Sequence, residues 1–327
     1  MVMTVAKGGL VLIKKLFSLS SVVGLALIIY NGSALAVSSC SAYNLPSVYL
    51  NNANPTYLVM NQFATCNESL PANFRIIESY HILASGQFSI AQFKYATLGY
   101  SDIIDIDLRG EYHGFINGLP NSFKSLPNDD INMFRTSAQI TDLESVIYNQ
   151  LLQPQAVVGI YQHNLKLAPD RNKLIICSKI EDALTESQVM AKLKIQYYRI
   201  TELDHQEANI ANLDALVSLY DHKLKDNPHQ WVYLHCQGGD GRTTAATAAL
   251  MMLKQADVGS LLPFKTIMDD TQKISNGYQL IPSCSEMTNM SNSCQGSWQR
   301  YARLQLFYQF VQTRNHDELF SSWLLRQ

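Results

Sequence analysis

Cys236 and Arg242 stand six positions apart in "HCQGGDGRTT" (His235–Thr244), a thiol and a guanidinium separated by three glycines and an aspartate. Core packing asks for no such order, whereas anion chemistry does. Glycines at Gly238, Gly239 and Gly241 let backbone N–H groups turn toward one point through dihedrals closed to other residues. The Ala/Thr-rich helix that opens at Arg242 adds its free N–H groups and its positive dipole end. Gln237, Gly238, Gly239, Asp240, Gly241 and Arg242 thus read as a nest for a tetrahedral oxyanion. Such a nest draws a thiol down from about 8.5 to well below neutrality, so Cys236 is expected as a thiolate nucleophile. The planar fork of Arg242 clamps two oxygens at once.

Spacing alone is weak support. "CQGSWQR" (Cys294–Arg300) has the same interval. It follows a polar loop instead of a strand, contains one glycine, and its cysteine has a plausible disulfide partner. We read it as coincidence.

The thiol must be carried by an element that ends at it. "WVYLHC" (Trp231–Cys236) is an apolar strand. Similar runs occur at 102–108, 156–161, 173–177 and 195–200. Near-continuous apolar strands point to a sheet buried on both faces. Helical patterns lie between several of them. Thr185 is an expected N-cap for the first, and Ile210, Leu213, Leu216, Val217 and Tyr220 share one face of the second. The expected class is α/β, with a mainly parallel central sheet flanked by helices. In the unit "YYRI"–helix–"WVYLHC" the loops after the two strands share one sheet edge. Asp204, just after the earlier strand in "RITELDHQEAN", therefore lands beside Cys236 and is the expected general acid. Glu202 and Glu207 compete for that role, and a helix cap is the alternative use of Asp204.

The 327 residues carry 47% hydrophobic and 16% charged side chains and a formal net charge of −2. That excludes disorder and leaves nucleic-acid binding without a basic field. Lys7, Lys14 and Lys15, the apolar run Leu16–Tyr30 and Ala34-Leu35-Ala36 read as a secretory signal over residues 1–36. Residues 37–327 would then be exported, periplasmic or secreted, with no stable membrane span after signal removal. A lipid on Cys40 is the lesser alternative. Export permits disulfides. Cys284 with Cys294 is the preferred pair, Cys40 with Cys66 is possible, and Cys177 reads as a buried thiol. No cysteine/histidine cluster has metal spacing, so neither a metal nor a cofactor is expected.

The stretch His235-Cys236-x-x-Gly239-x-Gly241-Arg242-Thr243 resembles the signature loop of the protein tyrosine phosphatase superfamily, whose members hydrolyse phosphomonoesters through phosphocysteine without a metal. The resemblance implies Cys236 as nucleophile, Arg242 as phosphate clamp, Asp204 as acid, Thr243 as the hydroxyl that steadies the leaving thiolate, and His235 as a buried support. "YYRITELDH", "ANFRIIES", "ASGQFS" and "DLRGEYHGFINGLPNSF" are similar to the phytase-like branch, bacterial enzymes of this fold that act on inositol phosphates, over roughly Asn73 to Phe310. The branch implies a small partial β-barrel elaboration from about Leu151 to Leu174, a substrate-phosphate contact at Arg75, and support from His205. Asp107, Arg109 and His113 are placed to reach the pocket, unless Arg109 pairs internally with Glu111 or Asp107.

Two departures stand out. The branch's Trp-Pro-like pair after Asp-His is replaced by "DHQEAN", and Asp240 puts a carboxylate in the loop. The substrate classes implied are a phosphotyrosine protein, a phosphoinositide or an inositol phosphate, with highly phosphorylated phytate disfavoured by Asp240. The competing classes are a silent phosphate-binding or host-interaction module, which would be expected to lack the cysteine, arginine or acid, and a rhodanese-like sulfurtransferase or an arsenate reductase, whose loops differ in length or position.

Overall fold

The computed structural model describes residues 40–327 except 41–42, 51–55, 62–64, 126–130, 153–156, 163–174, 205, 207–208 and 285–291. The signal segment, His205 and Glu207 thus lie outside the described residues. Among the described residues eleven strands are present: β1 Thr56–Met60, β2 Arg75–Ile77, β3 Ile82–Ser85, β4 Ile103–Arg109, β5 His113–Ile116, β6 Leu119–Ser125, β7 Val157–Gln162, β8 Ile175–Lys179, β9 Ala183–Thr185, β10 Gln196–Glu202 and β11 Trp231–His235. The helices are α1 Ile90–Ala96, α2 Ser137–Leu151, α3 Glu186–Leu193, α4 Ile210–Leu219, α5 Gly241–Asp257, α6 Phe264–Ile274, α7 Asn292–Thr313 and α8 Phe320–Leu324.

Strands β4 and β11 are buried on both sides, as the sequence reading expects, whereas β10 is mostly half-buried and Val157 of β7 and Cys177 of β8 are exposed. The central sheet has the order β10-β4-β11-β3-β2. Its first four strands run parallel and β2 pairs antiparallel with β3. Ile82, Ala84, Val232 and Leu234 face one core with α4, α5 and α7, whereas Leu83 and Tyr233 face another with Phe88, Phe93, Val189 and Met190. Alternate residues of one strand therefore fill two different cores. Helix α5 is buried almost all round, which explains its lack of a polar stripe. The N-cap at Thr185 is present with a full capping box to Gln188, whereas Ile210 is exposed.

A second sheet has the order β8-β7-β1-β6-β5-β9 and packs its own core, with Leu58, Phe123, Ile140 and Tyr148, against α2. It corrects the expected elaboration in origin. The region 151–174 contributes only β7 among the described residues, and the other strands come from scattered positions between 56 and 185. No closed barrel is formed among the described residues. The runs at 156–161 and 173–177 belong here, paired antiparallel, and not to the central sheet.

Parallel direction matters most for the site. The carboxyl ends of β3, β4, β10 and β11 share one edge, and the chain just beyond them carries Gly86, Glu111, Asp204 and Cys236. Ligands of open α/β sheets bind at this kind of edge.

Two disulfides are formed, Cys284–Cys294 as expected and Cys40–Cys177. The second corrects the sequence reading: Cys177 is bonded and exposed, not a buried thiol, and Cys66 is a free exposed cysteine. Spacing gave no hint of it, since the partners are 137 residues apart. A lipid on the Cys40 sulfur and this bond are mutually exclusive. Alkylation of the native, oxidised protein should label Cys66 and should leave Cys40, Cys177, Cys284 and Cys294 unlabelled until reduction; peptide mapping that finds Cys177 labelled beforehand would contradict the pairing.

Candidate active site

Cys236 is a buried free thiol at the end of β11. The backbone N–H of Gly239 donates to its sulfur at 3.3 Å. The loop is held open from outside by its carbonyls. Gln237 O accepts from the Gln87 amide at 3.0 Å, Gly238 O from Asn73 Nδ2 at 2.8 Å, and Gly239 O from Arg75 Nη1 at 2.9 Å. Peptide N–H and C=O point opposite ways, so outward carbonyls leave inward amides.

Gly239 is the conformational key. Its φ is +79°, and a Cβ there would lie 2.3 Å from the Gly86 nitrogen and 2.5 Å from the Ser85 carbonyl carbon. Of the three loop glycines it alone has positive φ. Gly241 instead lets two side-chain ends come close, since a Cβ there would lie 2.9 Å from the Tyr278 hydroxyl and 3.2 Å from Arg300 Nη1.

Arg242 is buried. It donates from Nη1 to Glu111 Oε2 at 2.8 Å and from Nη2 to Glu111 Oε1 at 3.3 Å. Nη1 also reaches the Glu202 carbonyl at 3.1 Å, and Nη2 the Asp204 carboxylate at 3.3 Å. Nε is buried with no partner, which leaves one donor of the fork for a bound anion. Burial penalises the charged guanidinium, but Asp204, Glu111 and Cys236 more than offset this and raise its pKa. Burial likewise opposes ionisation of Glu111, yet Arg242 and Arg109 hold its carboxyl well below the usual range.

Asp204 therefore stands over the loop, with its side chain 24% exposed. It does not cap the following helix: Asn209 does, with Oδ1 accepting from Asn212 N at 2.8 Å. Glu202, the rival carboxylate, turns the other way. It lines a small interior cavity with Leu108, Leu213, Leu216, Ala245 and Ala246. Burial there pushes its carboxyl up to about 7, against the opposing pull of Arg300 and Arg242.

Several expected contacts become supports. Arg75 gives its guanidinium to the Asn73 and Gly239 carbonyls and, at 3.2 Å, to Thr244 Oγ1. It braces the loop, and the structure gives these contacts where the sequence reading expects a substrate-phosphate contact. Arg109 is wholly internal, donating to Glu111, Gln87 and Ser122. Asp107 and His113 are equally interior, 3.1 Å apart, so this trio does not line the pocket. Thr243 Oγ1 is directed at the Ser85 carbonyl at 3.5 Å. His235 is fully buried. Its Nε2 lies 2.9 Å from Glu186 Oε1, an ion-pair approach without hydrogen-bond alignment, and 3.6 Å from Asp105 Oδ1. Burial works against the charged imidazole, yet these two carboxylates push it up to about 10. Burial raises the Asp105 carboxyl above its ordinary value. Asp105, Glu186 and His235, and likewise Asp107, His113 and Glu186, bring potential donor atoms within 4.8 Å of one another.

Sequence reasoning missed Asn73, Gly86, Gln87 and Arg300. Arg300 is the arginine of the discarded Cys294 repeat. It is no second loop, since Cys294 is disulfide-bonded, but its Nη2 donates to Gln206 O at 2.7 Å and its Nη1 to Tyr278 OH at 3.1 Å. It thus braces the segment that follows Asp204, beside Gly241. No local pattern marks such a brace.

The fold is a protein tyrosine phosphatase-like α/β fold. A family model described as PTP-like phytase, inositol hexakisphosphate, matches residues 106–254. A tandemly repeated protein tyrosine phosphatase-like phytase from Mitsuokella multacida superposes with a TM-score of 0.71 at 24% identity, covering 85% of this chain and 48% of that one. A PTP-like myo-inositol phosphatase from the same organism, in complex with myo-inositol-(1,3,4,5)-tetrakisphosphate, gives 0.70 at 23% identity over 88% and 49%. A PTP-like phytase from Bdellovibrio bacteriovorus gives 0.67 at 23% over 85% and 98%. The effector protein hopD2 of Pseudomonas syringae pv. tomato is 28% identical over 188 residues, 57% of this chain and 38% of the relative. The chain thus spans about half the Mitsuokella chains and less of the effector. The resemblance to the phytase-like branch, read from the loop and its neighbours, holds in sequence and in fold.

Glu202 supplies a stability test. A carboxyl raised from 4.5 to about 7 in the folded state favours folding while protonated. Its contribution is full below the unfolded value and is lost as pH rises through about 7. Relative to Glu202→Gln, the wild type should lose roughly 3 kcal/mol of unfolding free energy across that window. Denaturant titrations at pH 4.5 and 8 check this, and parallel curves for the two proteins would contradict it.

Proposed function

We propose that this chain is a metal-independent phosphomonoester hydrolase acting through a phosphocysteine intermediate, with inositol phosphates as its substrate class. The observation that carries the reading is the free, buried Cys236 thiol under an inward-facing amide, with Asp204 on the same guanidinium that waits beside it. The Cys236 thiolate attacks phosphorus; the S–P bond forms as the ester P–O bond breaks. Loop amides and Arg242 Nε hold the non-bridging oxygens, and Asp204 gives its proton to the leaving oxygen. Water then attacks phosphorus, its proton passes to the Asp204 carboxylate, and the S–P bond breaks to release phosphate and the thiolate.

Inositol phosphates are favoured by the family match over 106–254 and by the fold likeness to an inositol phosphatase complex. Asp240 bears on how many phosphates are tolerated. Its carboxylate accepts from Asn73 Nδ2 at 2.9 Å. Burial raises its pKa, with Arg75 opposing and Asp204 adding to the rise, so mild acid removes the repulsion more readily than at an exposed aspartate. A phosphoprotein substrate is the second reading, favoured by the resemblance of His235–Thr243 to the protein tyrosine phosphatase signature loop. The two disulfides support export to an oxidising compartment.

With p-nitrophenyl phosphate and a chelator present, turnover should persist, peak on the acidic side of neutrality, and vanish in Cys236→Ser. Asp204→Asn should lower kcat by about 10²–10⁴-fold and flatten the limb set by the acid. Unchanged turnover in Asp204→Asn would show that another group is the acid. Rates on inositol hexakisphosphate, inositol tetrakisphosphate and a phosphotyrosine peptide should rank the tetrakisphosphate first; a peptide preference would favour the second reading.

A further inference from the structure

The edge of the central sheet opposite Cys236 holds a cavity of about 420 Å³. It lies where β3 and β11 begin and where α5 ends, about 18 Å along the helix from Arg242. That volume is within the range of small-molecule sites. Nothing in the proposed hydrolysis uses it.

Three departures from ordinary structure meet there. Lys254 is a half-buried lysine on α5, and among the described residues no carboxylate or carbonyl accepts from its ammonium. Burial lowers its pKa. His81 forms part of the wall in a left-handed conformation, φ 51° and ψ 48°, which is unfavourable for a non-glycine residue. The continuation of α4 across Tyr220–Leu224 is a π-helical turn, a rare feature that is frequent at functional sites.

The charge balance of the walls favours an anion. Asp257 is the one carboxylate among the described lining residues. It is already engaged, accepting from Tyr220 OH at 2.6 Å and lying 3.6 Å from Lys225 Nζ. Lys254 is left without a counter-charge inside the cavity, and the imidazoles of His81 and His229, whose rings stand 5.7 Å apart edge to face, add polar ring nitrogens to the same wall. Glu78 acts on His81 only at a distance, and its effect is outweighed by burial, Lys254 and His229. The remaining wall is mostly apolar or aromatic, with Tyr220, Leu224, Pro228 and Val258, and Ser79 and Ser260 add two hydroxyls to it. The floor is fixed by Gln255, which donates to Tyr80 OH at 2.6 Å and accepts from the Leu262 amide at 3.0 Å. An inorganic ion would fill little of this space and leave the apolar wall wet.

We propose that this cavity is a second ligand site, which takes a small organic anion with its acid group on Lys254 and a ring or other apolar body against Tyr220, Leu224 and Pro228. The site is independent of the hydrolase assignment and stands or falls separately.

Labelling the intact protein with pyridoxal 5′-phosphate tests it. This planar phosphate ester forms an imine with an unprotonated amine, and borohydride fixes the adduct for peptide mapping. Lys254 should be modified at least tenfold faster than the exposed Lys265 and Lys273. Phenylphosphonate, which has no P–O ester to hydrolyse, should protect Lys254 at concentrations where inorganic phosphate protects weakly. Labelling of Lys254 no faster than of Lys265, or unaffected by phenylphosphonate, would overturn the site. Equal protection by inorganic phosphate would overturn the apolar half of the proposal. Since the wild-type chain carries the readout, no variant has to fold.

Discussion

A guanidinium buried beneath the loop sets the terms for everything around it. Arg242 is 2% exposed, and Glu111 takes both of its terminal nitrogens. Such a charge is tolerated only when paired and hydrogen-bonded, and removing one partner of a buried pair typically costs about 3–5 kcal/mol. Glu111 in turn needs Arg109, which is fixed by Gln87 and Ser122. Gln87 also donates to Glu186, and Glu186 meets His113 and His235. One connected polar network therefore runs from the loop through the central sheet to β5 and β6 of the second sheet. The second sheet is more than an appendage: it closes the charge balance of the site.

Geometry on the outer side of the loop depends on the segment before β2 and the end of β3. Asn73, Arg75 and Gln87 hold three successive carbonyls. Gly86 lies so close to the loop that a Cβ there would stand 2.9 Å from the Gly238 oxygen. Backbone against backbone at this distance fixes which way each peptide faces, and hence where an anion is met. The segment after Asp204 is fastened separately, through Arg300 on α7, whose first turn is stapled to Cys284 by the disulfide.

What the chain reveals in one dimension is what is encoded locally. The strand ending at Cys236, the glycines, the helix after them and the Thr185 cap all follow from periodicity and cap chemistry over a few residues. The placement of Asp204 beside Arg242 follows from parallel strands alone. Partners fixed by tertiary packing were not legible. Arg75 looks like a ligand contact in isolation, and only the nearness of Gly239 makes it a brace. Glu202 and Asp204 are indistinguishable as text, and the end of β10 decides that one enters the core and the other the cleft. Cys177 bonds a cysteine 137 residues away, and the second sheet gathers strands that no repeat connects.

The central claim is that the loop after β11 cradles a tetrahedral anion over the Cys236 sulfur. Diffraction from crystals soaked with tungstate tests this most directly. The account predicts an anomalous tungsten peak centred over Cys236 Sγ, with its oxygens on the loop amides and on Arg242 Nε. A peak elsewhere with the loop empty, or a Cys236 sulfur bound in a disulfide, would contradict it.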